Sequence, residues 1–362
     1  MNILVLNVGS SSVKYSVFKE HKFLFSGLIE RVKGKKGYES AIYGILKILD
    51  KKKIKIDAIG QRIVHGGEIE ASSVIDNKVL GKIKRYAEFA PLHNIPEIEG
   101  IDVCRKLFPG VKQVAVFDTA FHQTMPEHSY VYAIPYELYK KHGIRRYGFH
   151  GTSHHYVALE ASKLLKKKLN QLKIITCHLG NGASVAAINK GKVVDTSMGF
   201  TPLEGLVMGT RCGDIDPAIV LYLIKDRKMG VDEVNKILNK ESGLLGISGV
   251  SSDIRDLIKS KDKRAGLALD VFCYRITKYI GAYAAAMNGV DVVVFTAGVG
   301  ENAYYLRSRI LKNFEYLGLR VDSGKNKRNS SIITKTGSKV IAMVIHTNEE
   351  LMIAKEVMRV LK

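Results

Sequence analysis

The chain carries the same local plan twice. Residues 3–18, ILVLNVGSSSVKYSVF, read as a β-rich run, a Gly/Ser turn and a second β-rich run. Residues 174–188, IITCHLGNGASVAAI, repeat that plan, with Asn7 falling on His178 and Gly9 on Gly180. After a short polar turn each copy continues into a third strand-like piece, at 22–27 and at 192–196. Two such units at the heads of two chain halves point to a duplicated domain. A length of 362 residues agrees, because one hydrophobic core rarely grows beyond ~250–300 residues.

The rest of the chain alternates. Residues 56–63, 111–117, 292–296 and 339–345 have strand character, and helical patterns fall between them. Residues 266–287 place Leu269, Phe272, Cys273, Ile276, Ile280, Tyr283 and Met287 on one face of a helix. Ser153 is the expected N-cap of a helix from about residue 155 to 172, and 348–362 reads as an amphipathic helix. Strands separated by helices predict α/β halves, mixed sheets with helices on their faces. The domain boundary is expected near 145–150, where the repeat restarts.

Composition removes several classes of function. Apolar residues make up 46% and charged residues 25%, an ordinary globular balance. The start, MNILVLNVGSS, has no basic region and is too short for a signal peptide. The longest apolar stretch, 279–300, is broken by Asn288 and Asp291, so no membrane span is expected. Four cysteines lie far apart without a CxxC pair, which fits reduced thiols in a cytoplasmic protein. The net charge of +21 is scattered in short clusters with no aromatic-interleaved basic ribbon. That pattern reads as a solvated basic surface that favours anionic small molecules, and no nucleic acid partner is expected.

Three glycine-rich turns offer backbone N–H groups to anions: Gly9-Ser10-Ser11-Ser12, Gly180-Asn181-Gly182 and Gly298-Val299-Gly300-Glu301-Asn302. One such turn is ordinarily only a turn. Three of them, two in repeat-related positions, are better explained by phosphate binding. The P-loop spacing is absent. Residues 298–303 match the dinucleotide pattern GxGxxA, with Asp322 downstream, but no βαβαβ half follows to complete that site. Arg62 closes a strand, Arg211 sits in the loop 208–214, and His150 and His154 stand just before an expected helix start. No Glu or Cys completes a zinc set around the histidines. Asp118 directly follows a strand, where α/β proteins place ligand groups, although a loop-capping role is an alternative. Paired arginines, a histidine and a carboxylate-held metal are the parts that phosphoryl transfer needs.

At these residues the chain resembles the acetate kinase family. The matching segments are LNVGSSSVKYSVF (6–18), RIVHGGE (62–68), APLHN (90–94), FDTAFHQTMPE (117–127), YGFHGTSHHYV (147–157) and HLGNGASV (178–185). DTSMGFTPLEGLVMGTRCGDIDP (195–217), SGVSSDIRDL (248–257), FTAGVGENA (295–303) and TNEELMIA (347–354) continue the match. The resemblance implies the duplicated two-domain fold of the acetate and sugar kinases and actin, with the active site in the interdomain cleft. The domains would be 1–147 plus a returning helix 348–362, and 148–347 for the nucleotide. The implied reaction is reversible, direct in-line transfer of the ATP γ-phosphoryl group to acetate, giving acetyl phosphate and ADP. Mg²⁺, with Mn²⁺ as an alternative, would sit at Asn7 and Glu349.

The resemblance further implies that Arg62 and Arg211 hold carboxylate and phosphoryl group, that His150 stabilises the transition state, and that His93 supports the site. Asp118 occupies a position assigned to proton handling or positioning; because acetate is already ionised at neutral pH, positioning is the favoured role. Lys14, the turn His178, Leu179, Gly180, Asn181 and Gly182, and the run Gly298, Val299, Gly300, Glu301 and Asn302 correspond to phosphate contacts. Asp253, Ile254 and Arg255 correspond to the adenosine border. Val64, Leu92, Phe149 and Pro202 line the family's small pocket, and a bulky Val64 favours acetate over propionate. The family also suggests a homodimer. The chain departs from the family at Gln61, where His is common, at Ile95-Pro96-Glu97, where two prolines usually follow, and in a shortened stretch 27–60. Propionate kinase and a non-kinase, actin-like ATP-binding protein are the competing functions.

Overall fold

The computed structural model describes residues Met1–Lys362, Leu92 by its backbone alone. Among the described residues there are eleven strands: β1 (Asn2–Val8), β2 (Ser12–Lys19), β3 (Lys22–Glu30), β4 (Ala58–Ile63), β5 (Ser73–Val74), β6 (Lys112–Phe117), β7 (Lys173–Leu179), β8 (Ala183–Asn189), β9 (Lys192–Thr196), β10 (Val292–Thr296) and β11 (Ile341–Val344). They form two sheets, ordered β3-β2-β1-β4-β6-β5 and β11-β10-β7-β8-β9. The orders β3-β2-β1-β4-β6 and β9-β8-β7-β10-β11 are one topology written twice. In each, an antiparallel three-stranded meander is followed by parallel strands. Both meanders even shift register at matching places, Val17/Phe18 and Ala187/Ile188. The echo in the sequence is a duplicated fold.

The chain packs as two compact units. One comprises Met1–Gln123, Phe149–Tyr156 and Asn348–Lys362; the other comprises Thr124–Gly148 and Val157–Thr347. Residues 124–148, placed with the first half on sequence grounds, pack with the second unit. The reason is polar: the Arg146 guanidinium donates to the carbonyls of Thr196 and Ser197 and pairs with Glu204, to which the Tyr132 hydroxyl also donates.

In the first unit both faces of the sheet are covered, which is why β1 reads as a continuous apolar run rather than an alternating one. Leu4 and Leu6 pack with helix Gly34–Lys51 through Ile42, Ile45 and Leu49. Ile3 and Val5 point the other way, onto Ile353, Ala354 and Val357 of the C-terminal helix Glu349–Leu361. Gly60 lets that helix lie close, since a Cβ there would stand 2.7 Å from Ile353 Cγ2 and 2.9 Å from Val357 Cγ2. Asn348 caps the helix by accepting from the Leu351 amide.

In the second unit the helix Lys263–Ala286 buries the seven-residue face expected of it, Met287 lying at its C-cap. The helix expected from residue 155 instead spans Gly151–Leu164, with Ser153 buried inside its first turn. Its start is set by a tertiary bond, Gly151 N–H to the Asp118 carbonyl at 2.9 Å. Among the described residues no helix is long and apolar enough to cross a membrane.

Candidate active site

Three neighbouring parallel strands of the first sheet, β1, β4 and β6, deliver polar groups at or just past their carboxyl ends. That is where open α/β sheets bind ligands. Asn7 comes from β1, Arg62 from β4, and Asp118 follows β6 immediately. Arg62 is the hub. Its Nη2 lies 2.6 Å from Asp118 Oδ2, its Nε donates to Asp118 Oδ1 at 3.4 Å, and its Nη1 donates to Asn7 Oδ1 at 3.3 Å. The Glu349 carboxylate, at the start of the C-terminal helix, approaches Nε at 3.8 Å. Burial alone would lower the pKa of the guanidinium, but Asp118 and Glu349 more than offset this and raise it. Arg62 is therefore a fixed cation with 18% of its side chain still exposed.

Asp118 is held as firmly as it holds. Its carboxylate accepts from the Thr152 hydroxyl at 3.2 Å, and its carbonyl accepts from Gly151. A Cβ on Gly151 would stand 2.2 Å from that carbonyl oxygen, so only glycine fits. His150, just before, takes a left-handed φ of 57° and is half-buried. Phe149 is buried, and its carbonyl lies 2.9 Å from His122 Nε2. A carbonyl only accepts, so Nε2 carries the proton. Burial lowers the His122 imidazole to about 4, and it is neutral at neutral pH.

Residues 62–67 continue β4 through a loop whose amides are all used. Val64 N–H donates to both carboxyl oxygens of Glu97, at 3.2 and 3.1 Å. His65 exchanges hydrogen bonds with the Asn94 amide, and Gly66 N–H donates to Thr119 Oγ1. Glu97 and Asn94 share one face of the helix Pro91–Leu107. Burial pushes the Glu97 carboxyl up to about 8, against the pull of Arg62 and the Val64 amide. His93 is half-buried in the first turn of the same helix; the side chain of Leu92 lies outside the described residues. Lys14, opposite Asn7 in the β1–β2 register, pairs with Glu350.

The second unit gathers its own set. Gly180 N–H donates to the Gly182 carbonyl, closing the turn between β7 and β8. Gly209 N–H donates to the Asn181 carbonyl, which fastens the Arg211 loop to that turn. Arg211 Nη1 donates to the Pro202 carbonyl at 3.2 Å, and burial lowers its pKa; no carboxylate pairs with it among the described residues. Residues 298–302 do not form a turn. They belong to a short helix, Ala297–Asn302, entered through a left-handed Ala297 (φ 64°) directly after β10. Glu301 fixes this junction by accepting from the amides of Ala297 and Thr347. In the β7–β10 register Thr296 sits beside His178. Asp253 caps the helix Ile254–Lys259 and pairs with the exposed Arg255, while Ile254 is buried.

The sequence model of the acetokinase family matches residues 34–355. The chain belongs to the acetokinase family. An acetate kinase from Carboxydothermus hydrogenoformans is 54% identical over 98% of this chain and 98% of that one. The solved acetate kinase of Porphyromonas gingivalis matches with a TM-score of 0.93 and 44% identity, covering 100% of both chains. A propionate kinase from Francisella tularensis also matches at 0.93, with 43% identity and 99% of both chains covered. Membership of the acetokinase family makes the chain an enzyme, a kinase.

In this acetokinase the first-unit residues Asn7, Arg62, Asp118 and Glu349 form one connected cluster. The second set, His178 to Gly182, Arg211 and 297–302, lies in the other unit. Asp253 and Arg255 bond mainly to each other. Asn94, Thr119 and Thr152 lie in segments that match the family, and Glu97 in one that departs from it, but none of the four was given a role from the sequence. Their roles depend on burial, and burial is not readable one residue at a time. Among the described residues no group of three or more His, Cys, Asp or Glu could hold a metal ion.

Proposed function

We propose that the enzyme catalyses the reversible transfer of the ATP γ-phosphoryl group to acetate, with acetyl phosphate and ADP as products. The observation that carries this reading is the Arg62 cluster: a guanidinium held rigidly by Asp118 and Asn7 at the carboxyl ends of adjacent strands. A preset cation is what an anionic substrate and a spreading phosphoryl charge require. The relatives named as acetate kinases, about half identical over nearly the whole chain, support the same substrate.

One oxygen of acetate attacks the γ-phosphorus in line as the bond to the β–γ bridging oxygen breaks, and ADP departs. Arg62 and Arg211 bind the carboxylate and the moving phosphoryl group, and His150 donates to it in the transition state. Asp118 orients Arg62 and takes no proton, because acetate arrives ionised. His93 supports this arrangement. Val64, Leu92, Phe149 and Pro202 bound the methyl group. Lys14, 178–182 and 298–302 contact the nucleotide phosphates, and Asp253 to Arg255 border adenosine.

Asn7 and Glu349 together offer an amide oxygen and a carboxylate, hard donors of the kind that hold Mg²⁺ alongside substrate phosphates. Mg²⁺ bound there supplies charge neutralisation at the phosphates. We further propose a cytoplasmic homodimer that binds neither nucleic acid nor membrane. The helix Ala218–Lys225 has no buried residue and exposes Ile219, Leu221 and Tyr222, with Ile215 and Val231 nearby in sequence. A second copy is the occupant this face suits.

The deciding assay traps acetyl phosphate as the hydroxamate with acetate, propionate and butyrate as acceptors. Acetate giving the highest kcat/KM is expected. The similarity to a propionate kinase keeps propionate as the second reading, and one methylene alters binding by only ~1–3 kcal/mol. No acyl phosphate from any of the three acids overturns the proposal.

A further inference from the structure

Arg307, on the helix Tyr304–Leu311, is 1% exposed and among the largest fully buried side chains of the protein. A buried arginine ordinarily faces a carboxylate, because an uncompensated charge is costly to desolvate. Arg307 has none among the described residues. Four hydrogen bonds engage its guanidinium, and every acceptor is neutral. Nε donates to Asn326 Oδ1 at 2.9 Å, and Nη2 to the Asn326 carbonyl at 2.8 Å and Asn329 Oδ1 at 2.6 Å. The remaining nitrogen, Nη1, donates to the Gly300 carbonyl at 2.8 Å.

The surroundings are built around this cation. Asn326, itself 1% exposed, spends its side-chain NH₂ on the Tyr304 carbonyl and Ser308 Oγ and gives its Oδ1 to Arg307, while its carbonyl accepts from Arg307 and from the Asn329 amide. Asn329 takes a left-handed φ of 53° that turns its side chain into the network. Two asparagines thus satisfy the geometry of a guanidinium while leaving its charge uncancelled. Replacing either by aspartate would have been the simple way to neutralise it.

We infer that Arg307 is a positioning residue for the nucleotide, fixing the segment 298–302 through the Gly300 carbonyl and lending it an uncompensated positive charge that the polyphosphate completes. The inference rests on the reading of 298–302 as a phosphate-contacting segment. It also gives the charge a reason to persist. The anion that cancels it is the substrate, so the interaction is worth most when ATP is bound. In a medium of low effective dielectric, one charge several ångströms from a polyphosphate changes affinity by about tenfold or more.

Asn329→Asp is the sharpest test. It keeps the oxygen that accepts from Nη2 and the tolerance of a left-handed backbone, but supplies the missing negative charge. Calorimetry should show ATP and ADP bound about tenfold more weakly, adenosine bound as before, and a Tm equal to or above that of the unmodified protein. Unchanged ATP affinity in Asn329→Asp overturns the inference, since a purely structural Arg307 would only gain from a carboxylate partner. Arg307→Met gives the second reading wherever it folds: ATP weakened with adenosine retained supports the inference, and equal loss of both opposes it. The unmodified protein is titrated first. If it binds no ATP, the nucleotide reading itself fails; if it does, the variants test Arg307 alone.

Discussion

The Asp118 carboxylate holds the Arg62 guanidinium in two places, Oδ2 against Nη2 at 2.6 Å and Oδ1 against Nε at 3.4 Å. Asp118 is itself fixed by the Thr152 hydroxyl and, through its own amide, by the Ile63 carbonyl. The pair is a rigid mount for a cation, with only the outer part of Arg62 left to meet a ligand. In Asp118→Asn the shape survives but the charge does not. Turnover is expected to fall at least 100-fold, and stability by about 2 kcal/mol, the worth of a charge-assisted hydrogen bond. The kcat–pH profile should keep its shape, because no proton passes through this carboxyl. A variant that lost an ionisation from the profile would show that Asp118 is a base after all.

Arg62→Ala and Arg211→Ala remove the two cations assigned to the carboxylate and the phosphoryl group. Each should lower kcat by roughly 10²–10⁴ while ATP still binds within a few-fold of its original affinity. Steady-state kinetics together with ATP calorimetry check this. Near-normal turnover in either variant would remove the arginine clamp from the mechanism.

Glu97 makes stability depend on pH. Burial holds its carboxyl at about 8 in the folded protein, against an ordinary 4.5 in the unfolded chain. Between those values the native state keeps a proton that the unfolded state has lost, so stability falls as pH rises through the window. Glu97→Gln can still accept from the Val64 amide but does not titrate. Thermal melts from pH 5 to 8.5 should therefore show the variant gaining on the unmodified protein as pH rises, by roughly 3 kcal/mol at the top. Parallel Tm–pH curves for the two proteins would mean that Glu97 does not carry the proton.

Glu349 lies 3.8 Å from Arg62 and is pushed up to about 7, chiefly by desolvation. A divalent ion would replace the lost hydration and favour the ionised form. Glu349→Ala is expected to raise the Mg²⁺ concentration for half-maximal activity by roughly tenfold or more. A metal titration identical to that of the unmodified enzyme takes Glu349 out of the metal site.

Much of the fold was legible because it depends on local pattern. The duplicated strand–turn–strand plan, β10 and the buried face of Lys263–Ala286 follow from alternation, turn residues and helical spacing, all short-range properties. Errors arose where a long-range contact overrode the local signal. Ser153 looks like a helix cap, yet a bond between Gly151 and Asp118 starts the helix earlier. Residues 298–302 look like a turn, yet Glu301 tying Ala297 to Thr347 makes them a helix.

The sequence alone determined that two related α/β halves exist, and its motifs marked Asn7, Arg62, Asp118, Arg211 and Glu349 as residues to watch. Tertiary structure decided which of them meet. Arg62 touches Asn7, Asp118 and Glu349 because β1, β4 and β6 are adjacent and parallel and a helix from the far end of the chain packs on them. Packing also decided the protonation of Glu97 and the uncancelled charge of Arg307. Electrostatic energy depends on distance and burial, and neither is a property of a residue until the chain has closed around it.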